Sequence, residues 1–437
     1  MIAQARAGAS PATRERLVHA AVLAVPFLVA IAVLRGLTVE IDTFHASDAA
    51  DYHLPTILQF AEHLDLERYP AAQTPLYHLL FAGFGEVAGF ELWKLRLLNA
   101  AISYGAALTL LRLLRRSTPL EPVQALALTL VFTLSPYFFG ASFTLLTDNL
   151  ALLFTFVALE RIDAFRRSGS LGVFAMACAA LAGASLTRQS FLWLVPVAAW
   201  FLVRAPVPLS RKAGGAGLLA LAVAPIAALV VTWGALVPKG SDPASCGLCG
   251  DRPGMDGETS VSLRTVGFVV ALLGAYATVL YGPSLLRRVR ALPRPPVPLV
   301  GLGAALAAAV VLLAAEPLVY QPVAPNVGDA GYLWKLADRL PEVAGSSLLL
   351  LGLVPLGTVA VYLLARRDGW LSLPAVVLWC FLLAALPVKL VYQKYFDPMV
   401  LVALALLARP GDLRSRGDYL GVAVLCVAFV AYALSFA

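Results

Sequence analysis

The stretch "LVHAAVLAVPFLVAIAVLRGL", residues 17–37, contains only two side chains that can carry charge, His19 and Arg35. An α-helix of roughly 20 apolar residues spans the hydrocarbon core of a bilayer. The run lacks the alternation of apolar and polar residues that is typical of a barrel strand, and in lipid only a helix pairs its backbone groups within one segment. We therefore predict a transmembrane helix here.

The whole chain shares this apolar character. Of its 437 residues, 60% are hydrophobic and 14% are charged, and the mean hydropathy is +0.81. Soluble domains are about half apolar and about a quarter charged, so the composition excludes a soluble globular protein. We predict an all-α integral membrane protein with about thirteen transmembrane helices. The predicted spans are 17–37, 97–114, 122–140, 147–165, 171–187, 190–204, 214–237, 263–286, 296–315, 345–365, 370–388, 398–408 and 418–436.

The distribution of charge predicts the orientation. Arg6, Arg14 and Arg16 precede the first run, which has no small-residue cleavage site. This pattern is typical of an uncleaved anchor with its amino terminus in the cytoplasm. If the spans alternate, the short arginine-rich connections face the cytoplasm and most acidic residues face outward. The net charge of +7 then reflects orientation rather than nucleic-acid binding, because the basic clusters are short, separated loops with no aromatic platform interleaved among them.

The chain is predicted to form one polytopic domain, residues 1–437, with long outer loops at 38–96, 238–262 and 317–344. Within the first loop, residues 74–90 are apolar but too short for a typical transmembrane helix, and we predict a helix in the membrane interface.

Ionisable residues are almost absent from the spans away from their ends. Transporters and pumps normally hold such residues near the midplane, so the pattern favours a function at the outer surface.

The first outer loop contains a group of acids. Asp48, Asp51 and Tyr52 would share one face of a helix, at positions i, i+3 and i+4. A partly desolvated carboxylate at the membrane edge suits a general base. The alternative is a solvated acidic loop with no special chemistry.

Two cations lie at other predicted outer helix ends. Arg188 ends the fifth span, and Lys394 lies in "VYQKYFDPM", residues 391–399. A guanidinium matches phosphate oxygens in a bidentate geometry, so one interpretation of these cations is a phosphate site. The structural alternatives are a snorkelling arginine and an aromatic belt with a paired charge. Asp148 opens the fourth predicted span and is interpreted as an N-terminal helix charge.

The cysteines give little sign of a metal site. Cys178, Cys380 and Cys426 lie in apolar runs, where cysteine usually acts as a small hydrophobic residue. Cys246 and Cys249 form "CGLC" in an outer loop. We favour a local disulfide there over a metal half-site, because no second CxxC or nearby histidine completes a zinc set, and over a thioredoxin-like motif, because no βαβ pattern surrounds it.

Short segments scattered along the chain resemble the GT-C superfamily of lipid-phosphate-sugar glycosyltransferases, most closely the dolichyl-phosphate-glucose α-1,2-glucosyltransferase family. The segments occur in the same order as in that family: "HLP" at 53–55, "QTPLY" at 73–77, "TDN" at 147–149, "TRQSFLW" at 187–193, "GDRPGMDG" at 250–257 and "YQKYFDP" at 392–398. The family has adjacent Asp-Glu before its histidine, whereas here the acids are Asp48 and Asp51. The Ala, Leu and Arg-rich composition looks bacterial, which predicts a bacterial inner membrane with the site facing the periplasm or exterior.

The resemblance implies a GT-C-like bundle that transfers a sugar from a polyprenyl-phosphate donor to an acceptor hydroxyl on the non-cytoplasmic face, with inversion. Asp48, or next Asp51, would be the catalytic base, and Arg188 with Lys394 would bind the donor phosphate. The expected substrate-binding residues are His53, Tyr77, Gln189, Asp251, Gln393 and Asp397. The expected partners are the lipid-linked donor, a glycan or lipid-linked acceptor, and membrane lipid. No cofactor is required, and a divalent metal ion is compatible with the chemistry without being demanded by it.

Two other classes remain open from the sequence. A transporter or flippase of a lipid-linked or small solute would move substrate without forming a glycosidic product. A non-catalytic scaffold for envelope glycan enzymes would show neither product nor flux.

Overall fold

The computed structural model describes residues 10–33, 48–241, 261–291, 296–324, 327–328, 330–388 and 391–434. Its helices are α1 Pro11–Val33, α2 Leu54–Glu62, α3 Leu76–Ala88, α4 Leu92–Ser117, α5 Pro122–Leu134, α6 Pro136–Phe143, α7 Asp148–Ser168, α8 Leu171–Thr187, α9 Leu194–Arg204, α10 Leu209–Trp233, α11 Leu263–Arg290, α12 Pro296–Ala315, α13 Tyr332–Ala337, α14 Leu348–Ala365, α15 Leu373–Ala385, α16 Asp397–Leu407 and α17 Arg416–Leu434. Single helical turns at Ala49–His53, Gln189–Trp193, Gln393–Tyr395 and Pro410–Asp412 adjoin these helices. The strands form two short antiparallel pairs, Pro322–Ala324 with Val327–Gly328 and Glu342–Val343 with Ser346–Ser347.

The all-α class is confirmed. Each predicted span contains a helix, and residues 76–88 of the predicted interfacial segment are helical as well. One span differs in shape from the prediction, because 122–140 is divided into α5 and α6, which are bent by 63° relative to each other. Pro136 begins α6 and disfavours a helical conformation at the residue before it, so Ser135 is extended, with a ψ of 130°.

Six of the described helices are long and apolar enough to cross a membrane: α1, α4, α10, α11, α14 and α17. The bent pair of α5 and α6 would bring the number to seven if it forms one span. Shorter apolar helices are α3, α8, α9, α12 and α15. The second half of α7 carries Glu160, Arg161 and Asp163 and is therefore less apolar. The positions of the predicted helices are correct, while the number of crossings, the orientation and the kind of membrane remain predictions.

Small residues allow close packing at the centre of the bundle. A Cβ atom added at Gly274 of α11 would collide with the backbone of Leu353, and one at Gly357 of α14 would collide with the backbone of Val270. The two helices therefore touch backbone to backbone. Such contacts are typical of membrane helices, whose association depends on close packing rather than on hydrophobic burial.

The predicted inner arginines gather around buried carboxylates at the ends of α4, α7, α11 and α14. Glu160 is bonded by Arg112, Arg116 and Arg161. Asp412 is bonded by Arg288 and Arg367. Asp148 begins α7, whereas Glu160 lies in its second half, so Asp148 and the arginines that bond Glu160 lie toward opposite ends of this helix.

Candidate functional site

Two distant parts of the chain meet at an ion pair between Lys394 and Asp48. The ammonium of Lys394 donates a hydrogen bond of 2.7 Å to Oδ2 of Asp48, across 346 residues of sequence. Lys394 lies in the turn Gln393–Tyr395 before α16, and Asp48 immediately precedes the turn Ala49–His53. The contact brings together the predicted base and one of the predicted phosphate ligands.

A second ion pair joins Arg188 to Asp148. Nη1 of Arg188 lies 2.6 Å from Oδ1 of Asp148, the first residue of α7. The ring of Tyr395 lies between the two pairs: its centre is 5.2 Å from the guanidinium carbon of Arg188 and 5.4 Å from the ammonium of Lys394. Asp48, Asp148, Arg188, Lys394 and Tyr395 thus form one group, which we call the charged cluster.

The charged cluster is largely shielded from solvent. The side chains of Arg188 and Lys394 are each 12% exposed, and those of Asp148 and Asp48 are 21% and 27% exposed. Burial alone would lower the pKa of both cations, but Tyr395 and the two carboxylates outweigh it and raise each pKa. Both cations therefore stay charged at neutral pH. Since two cations face two carboxylates, the cluster is close to neutral as a unit.

The end of α8 fixes the position of Arg188. The backbone N–H of Arg188 donates to the carbonyl of Ala184 at 2.9 Å, and Arg188 itself is extended. Nε2 of Gln189 donates to the carbonyl of Ala72 at 2.8 Å. The hydroxyl of Thr74 donates to the carbonyl of Ser185, also at 2.8 Å. The segment 72–74 of the first loop is thereby tied to the end of α8.

A pair of histidines is buried next to the charged cluster. Nδ1 of His53 lies 2.9 Å from Nε2 of His78, and the two rings are stacked with centres 5.2 Å apart. Burial, with contributions from Arg188 and Lys394, lowers the pKa of His53 to about 3. The imidazole of His53 is therefore neutral at physiological pH. Tyr77 packs edge-on against both rings and is itself fully buried.

Gln393 and Asp397 have different surroundings from those expected of substrate ligands. Both are fully buried. Gln393 accepts a hydrogen bond from the backbone N–H of Leu333 at 2.9 Å and donates one to Asp397 at 3.0 Å. Asp397 also accepts hydrogen bonds from Ser135 at 2.6 Å, from Tyr332 at 2.7 Å and from Tyr276. These bonds hold the turn that carries Lys394 against α5, α11 and α13.

Other predicted residues stand apart from the charged cluster. Asp51 is exposed in the turn after Asp48, and its side chain makes no ion pair with another described residue. Asp251, Cys246 and Cys249 lie outside the described residues. Within the part of the chain that the structure describes, no group of three or more His, Cys, Asp and Glu side chains could hold a metal ion.

Asp148 is the acidic residue in the first turn of α7, as the interpretation of it as an N-terminal helix charge predicts. Sequence reasoning missed that its carboxylate is also the partner of Arg188. The available signal was the position of Asp148 inside "TDN", one of the segments that carry the family resemblance. His78 was visible in the sequence, but nothing there showed that it pairs with His53.

Comparisons with known proteins add a distant structural likeness. No family model matches the chain, and no curated protein matches it. A solved structure that is similar to the chain is the crystal structure of ArnT from Cupriavidus metallidurans bound to undecaprenyl phosphate, with 18% sequence identity and a TM-score of 0.40. The match covers 95% of this chain and 77% of that one. A likeness of this degree is the basis of no conclusion about the fold or the activity of this chain.

The helices and the cluster themselves define an all-α membrane protein with a charged site at one end of its helices.

Proposed function

We propose that the protein is a GT-C-type membrane glycosyltransferase that uses a polyprenyl-phosphate sugar as donor. One observation carries the proposal: segments that resemble this superfamily, though scattered along the chain, meet in space. His53, Asp148, Arg188 and Lys394 come from four of them. Gln189, in the same segment as Arg188, ties that segment to the first loop beside "QTPLY". Of the quoted segments, only 250–257 lies outside the described residues. Short segments that resembled the superfamily only by chance would not be expected to meet at one place in the structure.

The charged cluster suits a lipid-linked phosphate. Arg188 supplies a planar fork of donors that matches two phosphate oxygens, and Lys394 supplies a compact positive charge. In the structure each cation is bonded to a carboxylate, so an incoming phosphate would compete with Asp48 for Lys394. Binding of the donor would thereby release Asp48 from its ion pair.

The released Asp48 carboxylate is the proposed base. It would take the proton of the acceptor hydroxyl as that oxygen bonds to the anomeric carbon. The bond from that carbon to the phosphate oxygen breaks on the opposite face, so the configuration inverts. Arg188 and Lys394 would stabilise the charge that develops on the departing polyprenyl phosphate. Asp51, three residues further on and exposed, is the second choice of base.

The remaining predicted residues divide into two groups. His53 and Gln189 lie beside the cluster and are proposed to contact substrate, as is Asp251. Tyr77 is buried behind the histidine pair and donates a long hydrogen bond of 3.4 Å to Asn99, so we assign it a supporting role.

We also revise the expected substrate contacts of Gln393 and Asp397. Both are saturated by protein groups, and we assign them to holding the turn of Lys394.

The proposed site faces outward in a bacterial inner membrane. The charged cluster lies at the other end of α7 from the arginine networks, and short arginine-rich connections favour the cytoplasm. The acceptor would be a glycan or lipid-linked hydroxyl that reaches the outer leaflet. The mechanism needs no cofactor, and a divalent metal ion would only assist phosphate binding.

The test is transfer by the purified protein from a set of polyprenyl-phosphate sugars, with the products identified by mass spectrometry. We expect a glycosylated acceptor and free polyprenyl phosphate, both strongly reduced in Arg188→Ala. Arg204→Ala is the matched control, because Arg204 lies in the last turn of α9 and contacts Trp200 instead. Flux of a lipid-linked solute in reconstituted vesicles without any glycosidic product would instead establish a transporter.

A further inference from the structure

The surroundings of the buried pair of His53 and His78 favour one arrangement of their N–H protons over the other. Two neutral imidazoles carry two N–H protons on four nitrogens. One proton must lie between Nδ1 of His53 and Nε2 of His78, which are 2.9 Å apart. The other proton lies either on the outer nitrogen of His78, Nδ1, or on the outer nitrogen of His53, Nε2.

The outer nitrogen of His78 is a poor place for a proton. His78 is fully buried, and its Nδ1 has no hydrogen-bond partner among the described residues. A buried N–H without an acceptor is rare in folded proteins, and an acceptor left without a donor is tolerated somewhat better. Nε2 of His53 is not among the buried polar atoms without a partner. The second proton therefore belongs on Nε2 of His53.

This placement fixes the direction of the bond between the rings. Nε2–H of His78 donates to Nδ1 of His53, and His53 keeps its own N–H on the side of the ring that faces away from His78. His53 ends the turn that Asp48 immediately precedes, and Asp48 is paired with Lys394, so His53 lies near the charged cluster. The charges of Arg188 and Lys394 disfavour the protonated form of His53. His53 thus presents a neutral donor beside the two cations of the charged cluster.

We infer that His53, oriented by His78, donates a hydrogen bond from Nε2 to an oxygen of the lipid-linked phosphate that Arg188 and Lys394 bind. This inference rests on the proposed function. It adds a neutral donor to the phosphate site and makes His78 a positioning residue, because His78 touches His53 and acts only through it. A neutral donor contributes a hydrogen bond without adding a third positive charge to a site that already holds two.

The first experiment reads the protons directly in the unaltered protein. The chain contains only five histidines, so ¹⁵N labelling of histidine with a His53→Gln and a His78→Gln variant assigns the two signals. We expect both rings as the Nε2–H tautomer, with a coupling through the hydrogen bond between Nε2 of His78 and Nδ1 of His53. A proton found on Nδ1 of His53 would overturn the inference. This measurement requires no substrate, so it stands even if no transfer activity is found.

The second experiment measures the binding of polyprenyl phosphate without a sugar. His78→Leu removes the partner of His53, and we expect the Kd to rise about tenfold, as for the loss of one oriented hydrogen bond. His78→Gln is the matched control, because its amide N–H can still reach Nδ1 of His53. We expect its Kd to stay within about twofold of the unaltered value.

A double-mutant cycle separates positioning from general damage. In His53→Gln the side chain no longer depends on a histidine partner, so adding His78→Leu should leave the Kd unchanged. Interacting residues give non-additive effects, whereas independent ones add. An equal rise in Kd in both backgrounds would show that His78 supports only the fold and would overturn its proposed role. Failure of the unaltered protein to bind polyprenyl phosphate would count against the proposed function, and the tautomers would still be decided by the spectra.

Discussion

The guanidinium of Arg188 packs over the ring of Tyr395, with its central carbon 5.2 Å from the ring centre. The ammonium of the neighbouring Lys394 lies 5.4 Å from the same ring. Arg188 and Lys394 reach the site from segments about two hundred residues apart, and Tyr395 is the group that both contact. An aromatic face stabilises a cation by about 0.5–2 kcal/mol, more when the pair is desolvated.

This arrangement predicts that the ring of Tyr395, rather than its hydroxyl, supports binding of the donor. Tyr395→Leu should raise the KM for the polyprenyl-phosphate sugar about threefold to tenfold, because both cations lose their aromatic contact. Tyr395→Phe keeps the ring and should leave KM nearly unchanged. An equal effect of the two substitutions in steady-state assays would contradict the prediction.

Asp48 and Asp51 are distinguished by their surroundings. Asp48→Asn should lower kcat by about a hundredfold or more, the usual loss when a general base is removed. It should not raise the KM for the donor, because Lys394 loses a competing carboxylate. Asp51→Asn is the comparison variant, and we expect it to keep most of its activity because Asp51 is exposed and outside the cluster. If both variants retain full transfer, neither residue is the base.

Much of the fold could be predicted because apolar runs of membrane length have one stable solution in lipid, a helix. Pro136 marks the position of the bend at Ser135, but its angle of 63° depends on packing and could not be predicted from the sequence. The sequence also does not show which of the predicted helices cross the whole membrane. Length and composition single out α1 and α11, for example, whereas α8 and α9 are apolar but shorter.

The site was predictable residue by residue but not pair by pair. Asp48, Arg188 and Lys394 were singled out as charged residues at predicted outer helix ends and by the family resemblance of the segments around them, and the structure brings the three together. The pairing of Arg188 with Asp148 depends on how α7 and α8 pack, and no local pattern encodes it. The surroundings of Asp397 could not be predicted for a related reason: a carboxylate beside the membrane looks the same in sequence whether it faces a cavity or four protein donors.

His53 predicts a dependence of stability on pH. In the unfolded chain its pKa is near 6.5, and in the folded protein burial and the nearby Arg188 and Lys394 lower the pKa to about 3. Between these values the unfolded state binds the proton and the folded state does not, so stability falls as pH decreases from 6.5 toward 3. At about pH 5 the loss attributable to His53 is about 2 kcal/mol.

His53→Gln should therefore reduce the fall in Tm between about pH 7 and about pH 5, measured by thermal unfolding in detergent. His63 is exposed, and His63→Gln should show the same fall as the unaltered protein. If His53→Gln and the unaltered protein lose the same Tm on acidification, His53 is not held neutral by the fold.

The arginine networks at the far end of the helices predict a purely structural effect. The buried carboxylate of Asp412 is bonded by Arg288 and Arg367 and accepts hydrogen bonds from Ser284 and from the backbone N–H of Arg409. Asp412→Asn removes the charge but keeps the volume, so the two guanidiniums are left without their counter-charge in a partly buried position. Removing one partner of a buried ion pair costs about 3–5 kcal/mol. We expect a clear fall in Tm, while the donor KM of the folded fraction stays the same because the charged cluster is at the opposite end of the bundle.

Asp338→Asn, at an exposed position, is the control and should leave Tm unchanged. A rise in donor KM in Asp412→Asn with no change in Tm would show that the two ends of the bundle are coupled, which the proposed separation of roles does not allow.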